Sequence, residues 1–473
     1  MNMETKLVST LEEAIRSVGL KDGMTVSFHH HLRNGDYILN LVIEQVAAMG
    51  IRDLTVNASS LFDVHLPLME HIRSGVVTRL LTDYVSGGIG RHLSQGILEA
   101  PVEFRSHGTR ATDIASGKTP IDVAFLAVPA ADCRGNATGK LGRAACGSLG
   151  YAIPDAMYAK KVVLITDTLL PYPLSDWAIP ECIVDYVVQV PEIGDPRGIL
   201  SGTTRITRDP VGLVMAELAA KTIAGSGLLK EGFSFQTGAG GASLAAAAAL
   251  KKIMEKEHIT GSFALGGITG YLVEMLRAGC FRQLMDVQCF DLDAVASIRD
   301  DPRHREISAI HYAGPGTRGA VVDSLDVVIL GATEIDTNFN VNVHTDSSGC
   351  LMGGSGGHTD AAAGAKLTMI IAPLVRARLP IVTDRVTCIS TPGDTVDVLV
   401  TQRGIAVNPR RPELRQRLLE AGLPVTDIEA LKKRAEAIAG IPRPVPRGDR
   451  VVAEVLGRDG RVQDQILSLP SDF

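Results

Sequence analysis

Apolar positions along this chain come in short bursts, not in long amphipathic stripes. The bursts are "VAFLAV" (123–128), "KVVLITD" (161–167), "DYVVQV" (185–190), "DVVILGA" (326–332), "KLTMIIA" (366–372) and "DVLVT" (397–401). They are rich in β-branched residues and do not alternate strictly with polar ones, which fits strands of a parallel sheet buried on both faces. Two longer stretches repeat one another. "LKDGMTVSFHHHLRNGDYILNLVIEQVAAMGIRDLTV" starts at Leu20, and "LKEGFSFQTGAGGASLAAAAALKKIMEKEHITGSFAL" starts 209 residues later at Leu229. Each opens on a Leu-Lys-acid-Gly turn. A β-prone segment, a polar or glycine-rich loop, a helix of about five turns and a second β-prone segment follow. A strand, crossover helix and parallel strand form a right-handed unit. The duplication therefore predicts an α/β fold of two tandem domains with mainly parallel sheets, 1–224 and 225–473, divided near residues 222–230. A basic helix-like segment is expected at 411–437. A Pro-rich connection (438–450) then leads to a terminal hairpin (451–468) turning at Asp459-Gly460.

Length supports this division, since 473 residues exceed one ordinary core. A net charge of -6 gives no electrostatic reason to bind nucleic acid. No run approaches the roughly 18 apolar residues of a membrane span, and the N-terminus lacks the apolar region of a secretion signal. A cytoplasmic location is the expectation. Cysteines 133, 146, 182, 280, 289, 350 and 388 form no Cys-x-x-Cys pair. Buried, reduced thiols are expected, without a disulfide framework or structural zinc.

Ligands of such sheets bind beyond the carboxyl ends of the strands, so the loops there are the candidates. In "SFHHHLRNGD" (27–36), three adjacent histidines suggest a metal. Neighbours on an extended chain point to opposite faces, so His29, His30 and His31 cannot all reach one ion. His30 alone, or His29 with His31, would serve as hydrogen-bond donors or a proton shuttle. Arg33 and Asn34 suit a carboxylate. A merely solvated loop stays open as the alternative. In "FQTGAGGASLA" (235–245), Gln236, Thr237, Gly238, Ala239, Gly240 and Gly241 precede a helix and offer backbone N–H groups to an anion; close helix–strand packing is the rival explanation. In "FALGGITGYLVEML" (263–276), Gly267 and Gly270 flank Ile268 and Thr269 at a strand exit, with no reactive side chain between them. "GATEIDTNFNVN" (331–342) contributes Glu334 and Asn340. "GGSGGHTDAAAGAK" (353–366) contributes Gly353, Gly354, Ser355, Gly356, Gly357 and His358. A further glycine-rich patch, "CRGNATGK" with "CGSLGY" (133–151), matches no phosphate loop. No His-Glu-x-x-His motif is present.

These stretches, with "IDVAFLAVP", "TPGDTVDVLVT" and "GIAVNP", run in order along nearly the whole chain. Together they resemble the alpha subunits of citrate lyase, members of the CoA-transferase superfamily. The resemblance implies tandem NagB/RpiA-like domains with the active site between them. It also implies transfer of an acyl-carrier or CoA thiol from an acetyl thioester to citrate, giving citryl thioester and acetate, as in citrate fermentation. Many CoA-transferases place a glutamate in the loop matching Gly267–Gly270 and acylate it. Isoleucine cannot be acylated, so the implied route is a ternary complex and a mixed anhydride. Backbone donors from Gly267, Ile268, Thr269 and Gly270 would serve the oxyanions. Cations for the tricarboxylate would come first from Arg33, with Arg318 and Lys366 behind it.

No tightly bound cofactor and no metal are implied. The partners implied are citrate, acetyl-CoA, an acyl carrier (gamma) subunit with a CoA-like prosthetic group, a citryl lyase (beta) subunit and further copies of the chain. Two other enzymes stay open: one acting on another hydroxy acid such as citramalate, and a covalent transferase using Glu274 or Glu334. A ligand sensor on the same fold is a third alternative.

Overall fold

The computed structural model describes residues 5–200, 205–443 and 445–470. The apolar bursts become the centres of two large sheets, and all six form strands: Val123–Ala127, Lys161–Thr166, Tyr186–Gln189, Val327–Leu330, Leu367–Ile371 and Val398–Thr401. Their side chains are almost wholly buried, as a sheet covered on both faces requires.

In the first sheet the repeat's opening strand, Thr25–Phe28, lies at the centre. Leu54–Ala58, Val77–Thr82 and Val102–Phe104 extend it on one side. Val123–Ala127, Lys161–Thr166, Tyr186–Gln189 and Leu7–Val8 extend it on the other, all parallel. In the second sheet Ser234–Thr237 holds the corresponding place. Gly261–Ile268, Phe281–Cys289 and His304–Glu306 lie on one side, and Val327–Leu330, Leu367–Ile371 and Val398–Thr401 on the other. Each opening strand is therefore the point where strand order reverses, and ligands bind outside its carboxyl end. The loops that leave them, residues 29–36 and 238–241, are the ones the duplication singles out.

The copies differ in detail. The second helix, Gly241–Glu257, has 17 residues as expected, but the first, Ile38–Ala48, has 11. The 3-10 turn Arg33–Gly35 takes up part of the first copy's length. The duplication also reaches further than the opening units. Asp132 accepts backbone N–H bonds from residues 134–136 and the Asn136 amide, and Asp336 accepts the N–H groups of Asn338 and Asn340 and the Asn340 amide. Asn340 is thus the second copy of a loop-bracing asparagine.

Other features depart from the sequence expectation. The segment 411–437 is two helices, Pro412–Glu420 and Ile428–Ala439, because Gly422 (φ 70°) and Pro424 break it. The helix Pro210–Gly225, placed by sequence in the first unit, packs on Gly241–Glu257 and on the second sheet. The terminal hairpin, Val451–Leu456 with Val462–Leu467, turns at Gly460 as expected. It joins the first sheet, not the second, pairing parallel with Val102–Phe104. A clasp forms there: Arg458 donates to Asp360, which also accepts from Ser106 Oγ and the Gly108 N–H of the first half. No helix among the described residues is long and apolar enough to cross a membrane. All seven cysteines are free; 146, 280, 289 and 388 are buried, whereas Cys182 is exposed.

Candidate active site

The carboxyl edges of the two sheets face each other across a cavity of about 290 Å³. The first sheet supplies His30, Arg33, Ser60, Phe62, Tyr84, His107 and Tyr151. The second supplies Gln236 to Ala239, Gly267, Gln288, Phe290, Tyr312, Gly331 and Gly356 to His358. Ten residues singled out in the sequence therefore meet here: His30, Arg33, Gln236, Thr237, Gly238, Ala239, Gly267, Gly356, Gly357 and His358.

Arg33 has φ 53° and heads the 3-10 turn. Its guanidinium lies 5.3 Å from the Phe62 ring centroid and 4.9 Å from that of Phe290, one ring from each half. It makes no ion pair among the described residues, and burial pulls its pKa below the ordinary arginine value. A stacked, desolvated guanidinium with a free donor fork suits an anionic ligand.

The histidines divide as the extended backbone requires. His30 lines the cavity, stacked 4.7 Å from Tyr151. Its ring nitrogens are engaged by Ser59 Oγ at 2.7 Å and Gln288 Oε1 at 3.0 Å. Gln288 Nε2 donates to the His30 carbonyl, so this histidine joins the halves. His29 and His31 turn away from the cavity and share an Nδ1–Nδ1 contact of 2.7 Å. Since His31 Nε2 accepts the Tyr151 N–H, its Nδ1–H donates to His29. Burial lowers the pKa of all three and keeps them neutral.

His107 is placed differently. Its Nδ1–H donates to the buried Asp83 carboxylate at 2.8 Å. The carboxylate's own pKa is raised by burial. Nε2 is left toward the cavity, 3.1 Å from where a Cβ on Gly356 would lie. That carboxylate–imidazole pair is suited to donating or accepting a proton.

Around Gly267–Gly270, only Gly267 lines the cavity. A Cβ there would fall 1.9 Å from the Phe290 ring, so the glycine is what lets Phe290 lie under Arg33. Ile268 is fully buried in the apolar core, and Thr269 precedes the helix Gly270–Arg277. The Gly270 N–H donates to Asp291. None of these three reaches the cavity, so they do not form the expected donor set. Asn34 accepts from the Val64 N–H outside the cavity. Gly240 and Gly241 begin the second helix, with Gly241 packed against the Arg205 carbonyl. Gly353, Gly354 and Ser355 dock the second half onto the first: a Cβ on Gly354 would lie 2.1 Å from the Asp83 carbonyl. Glu334 is buried and spent on Asn342 and Thr387. Arg318 is exposed outside the lining. Lys366 precedes the strand Leu367–Ile371, at its amino end, and pairs with Asp326 at 2.8 Å. No aspartate or glutamate lines the cavity among the described residues, and Glu274 is exposed on a helix.

Residues 4–469 match the family model for citrate lyase, alpha subunit (CitF). The citrate lyase alpha chain of Escherichia coli (strain K12) is 52% identical over 98% of this chain and 91% of its own length. That of Klebsiella pneumoniae is 51% identical over the same shares. The chain belongs to the citrate lyase alpha-subunit family. A crystal structure of the citrate lyase alpha subunit from Streptococcus mutans in complex with citrate superposes with a TM-score of 0.97 at 48% identity, covering 100% of this chain and 92% of that one. A Pseudomonas malonate decarboxylase hetero-tetramer shares the fold, with a TM-score of 0.69 at 17% identity over 93% of this chain and 88% of that one.

In this member of the citrate lyase alpha-subunit family, sequence reasoning overlooked the aromatic and acid–base side of the site: Phe62, Tyr84, His107, Tyr151, Gln288 and Tyr312. A signal existed for two of them. "TDYVSGG" and "FRSHG" follow short strands and place Asp83-Tyr84 and His107 at strand exits. The tyrosines otherwise read as core.

Proposed function

We propose that the cavity is the site at which the thiol of an acetyl thioester is exchanged onto citrate, through a ternary complex and a mixed anhydride. Membership of the citrate lyase alpha-subunit family supports the reaction. The single observation that supports the route is a lining with an unpaired arginine and with His107, which Asp83 holds from behind, but with no carboxylate to acylate among the described residues.

In this mechanism Arg33 binds one citrate carboxylate as a bidentate pair. A second citrate carboxylate oxygen attacks the acetyl carbonyl carbon. The C–S bond breaks, a thiolate leaves, and citryl acetyl anhydride remains. The thiolate then attacks the citryl carbon, and acetate departs with the bridging oxygen. No net proton is consumed. His107, oriented by Asp83, would hold the thiolate between the steps through a proton on Nε2. Tyr84 keeps its proton because burial raises its pKa, which makes its hydroxyl a donor for an oxyanion. The glycine-rich lead-in to Gly241–Glu257 adds the positive end of a 17-residue helix. Both reacting carbonyls are held side by side in a largely buried space, which supplies orientation and protects the anhydride from water. A cavity of about 290 Å³ admits the two acyl ends and leaves the rest of a carrier arm outside, which suits an acyl carrier subunit as donor and a citryl lyase subunit as next user. Acetyl-CoA should substitute, and assembly with further copies of the chain is part of the proposal.

The test is incubation with acetyl-CoA and citrate, followed by mass detection of citryl-CoA and acetate. Both are expected, and with acetyl-CoA alone borohydride should leave the enzyme active. Inactivation with a mass shift on Glu274 or Glu334 would establish the covalent route instead.

A further inference from the structure

Beside the cleft, but outside its lining, three metal-ligating side chains converge. Asp286 and Cys289 come from the strand Phe281–Cys289, and His304 opens the neighbouring strand His304–Glu306. All three are buried, with His304 the most exposed at 3%. Asp286 Oδ2 lies 3.0 Å from Cys289 Sγ and 3.0 Å from His304 Nε2, and the three ligand atoms fall within 4.8 Å of one another. Ligand atoms about 2.0–2.3 Å from a tetrahedral ion stand roughly 3.3–3.7 Å apart, so this triangle is close to metal-sized.

Two details go beyond a self-contained hydrogen-bonded triad. The other carboxylate oxygen, Asp286 Oδ1, is buried without a hydrogen-bond partner among the described residues. His304 Nδ1 lies 3.0 Å from Ser297 Oγ, the kind of outer contact that orients a metal-bound imidazole. A surface cavity of about 530 Å³, lined by Trp177, Asp301, His304 and Glu306, leads toward the cluster. The loop of the first half closes over it. Ser148 Oγ donates to the Asp286 carbonyl, and a Cβ on Gly147 would lie 2.3 Å from Cys289 Sγ.

The geometry points to a divalent transition-metal site, of the zinc type, formed by Asp286, Cys289 and His304. A thiolate, an imidazole and a carboxylate are a borderline-soft donor set, with a water completing the fourth position. On binding, the Cys289 thiol proton leaves to solvent, and the His304 ring proton resides on Nδ1 and donates to Ser297 Oγ. Gln288 lies between two of the ligands and grips His30. A bound ion would therefore fix the strand end that joins the two halves at the cleft.

Titration of chelator-stripped, full-length protein with Co2+ alone tests this. One equivalent should bind with a thiolate-to-cobalt charge-transfer band in the near ultraviolet. Cys289→Ser should abolish the band, and His304→Gln should weaken binding about tenfold or more. Cys182→Ser, at an exposed thiol, should change neither. Zn2+ should raise the melting temperature of the unsubstituted protein but not that of His304→Gln. No charge-transfer band in the unsubstituted protein, or one that survives Cys289→Ser, overturns the proposal. The first criterion holds even if the variants fold poorly.

Discussion

Arg33 is held by two rings and answered by no carboxylate, so its side chain is set before any ligand arrives. Lysine keeps the charge but loses the planar fork and the stacking. Arg33→Lys is therefore expected to lower kcat/KM for citrate about 100-fold, mainly through KM, with KM for acetyl-CoA unchanged. Steady-state kinetics in both substrates checks this. Arg33 was legible in the sequence because a cation beside glycine at a strand exit has few structural uses. Tyr151 and Tyr312 were not, because buried aromatics look the same whether they fill a core or line a cleft. His344 gives a second prediction at this scale. It is fully buried beside Phe104, and burial, reinforced by His358, lowers its pKa from 6.5 to about 3. The depressed value means that its contribution is complete above pH 6.5 and is lost as pH falls toward 3. At pH 4 the loss is about 3 kcal/mol. Urea unfolding of His344→Gln should show a shallower decline of stability between pH 6.5 and pH 4 than the unsubstituted protein.

At the scale of elements, the bulge in Gly261–Ile268 separates two kinds of residue. The register shifts between Gly266 and Gly267, turning Gly267 to the Phe290 ring while Ile268 points into the core. Gly267→Ala should displace Phe290 from beneath Arg33 and lower kcat/KM for citrate at least tenfold, with little change in melting temperature. Ile268→Ala should do the reverse, costing roughly 2–5 kcal/mol of stability by opening a cavity while the folded enzyme keeps its kcat. Paired kinetic and denaturant measurements separate the two. The sequence marks this loop as special through its glycines. Which glycine faces the ligand depends on a register shift set by the neighbouring strand, and no local pattern records that. The central strands were legible for the opposite reason: a strand buried on both faces has no choice of side.

At the scale of the molecule, both the site and its closure are shared between halves. Asp360 is fully buried and is reached by Arg458 from the terminal hairpin, whose side chain is 21% exposed. Arg458→Gln should cost about 2 kcal/mol in urea unfolding, less than a fully buried pair because Arg458 touches solvent. An unchanged unfolding midpoint would mean that the clasp adds nothing. The duplication was readable from one sequence because two copies of a local pattern suffice to show it. The hairpin's partner was not, because pairing across more than 300 residues leaves no mark in local periodicity.

The hairpin has a consequence for how the protein is made. Val102–Phe104 leaves the ribosome early, yet its outer neighbour Val451–Leu456 is among the last segments synthesised. For most of translation this strand is an uncovered edge, open to pairing with other nascent chains. A product of premature termination before residue 451 keeps that edge for good, so it should be recovered in aggregates even when every residue that lines the cavity has been translated.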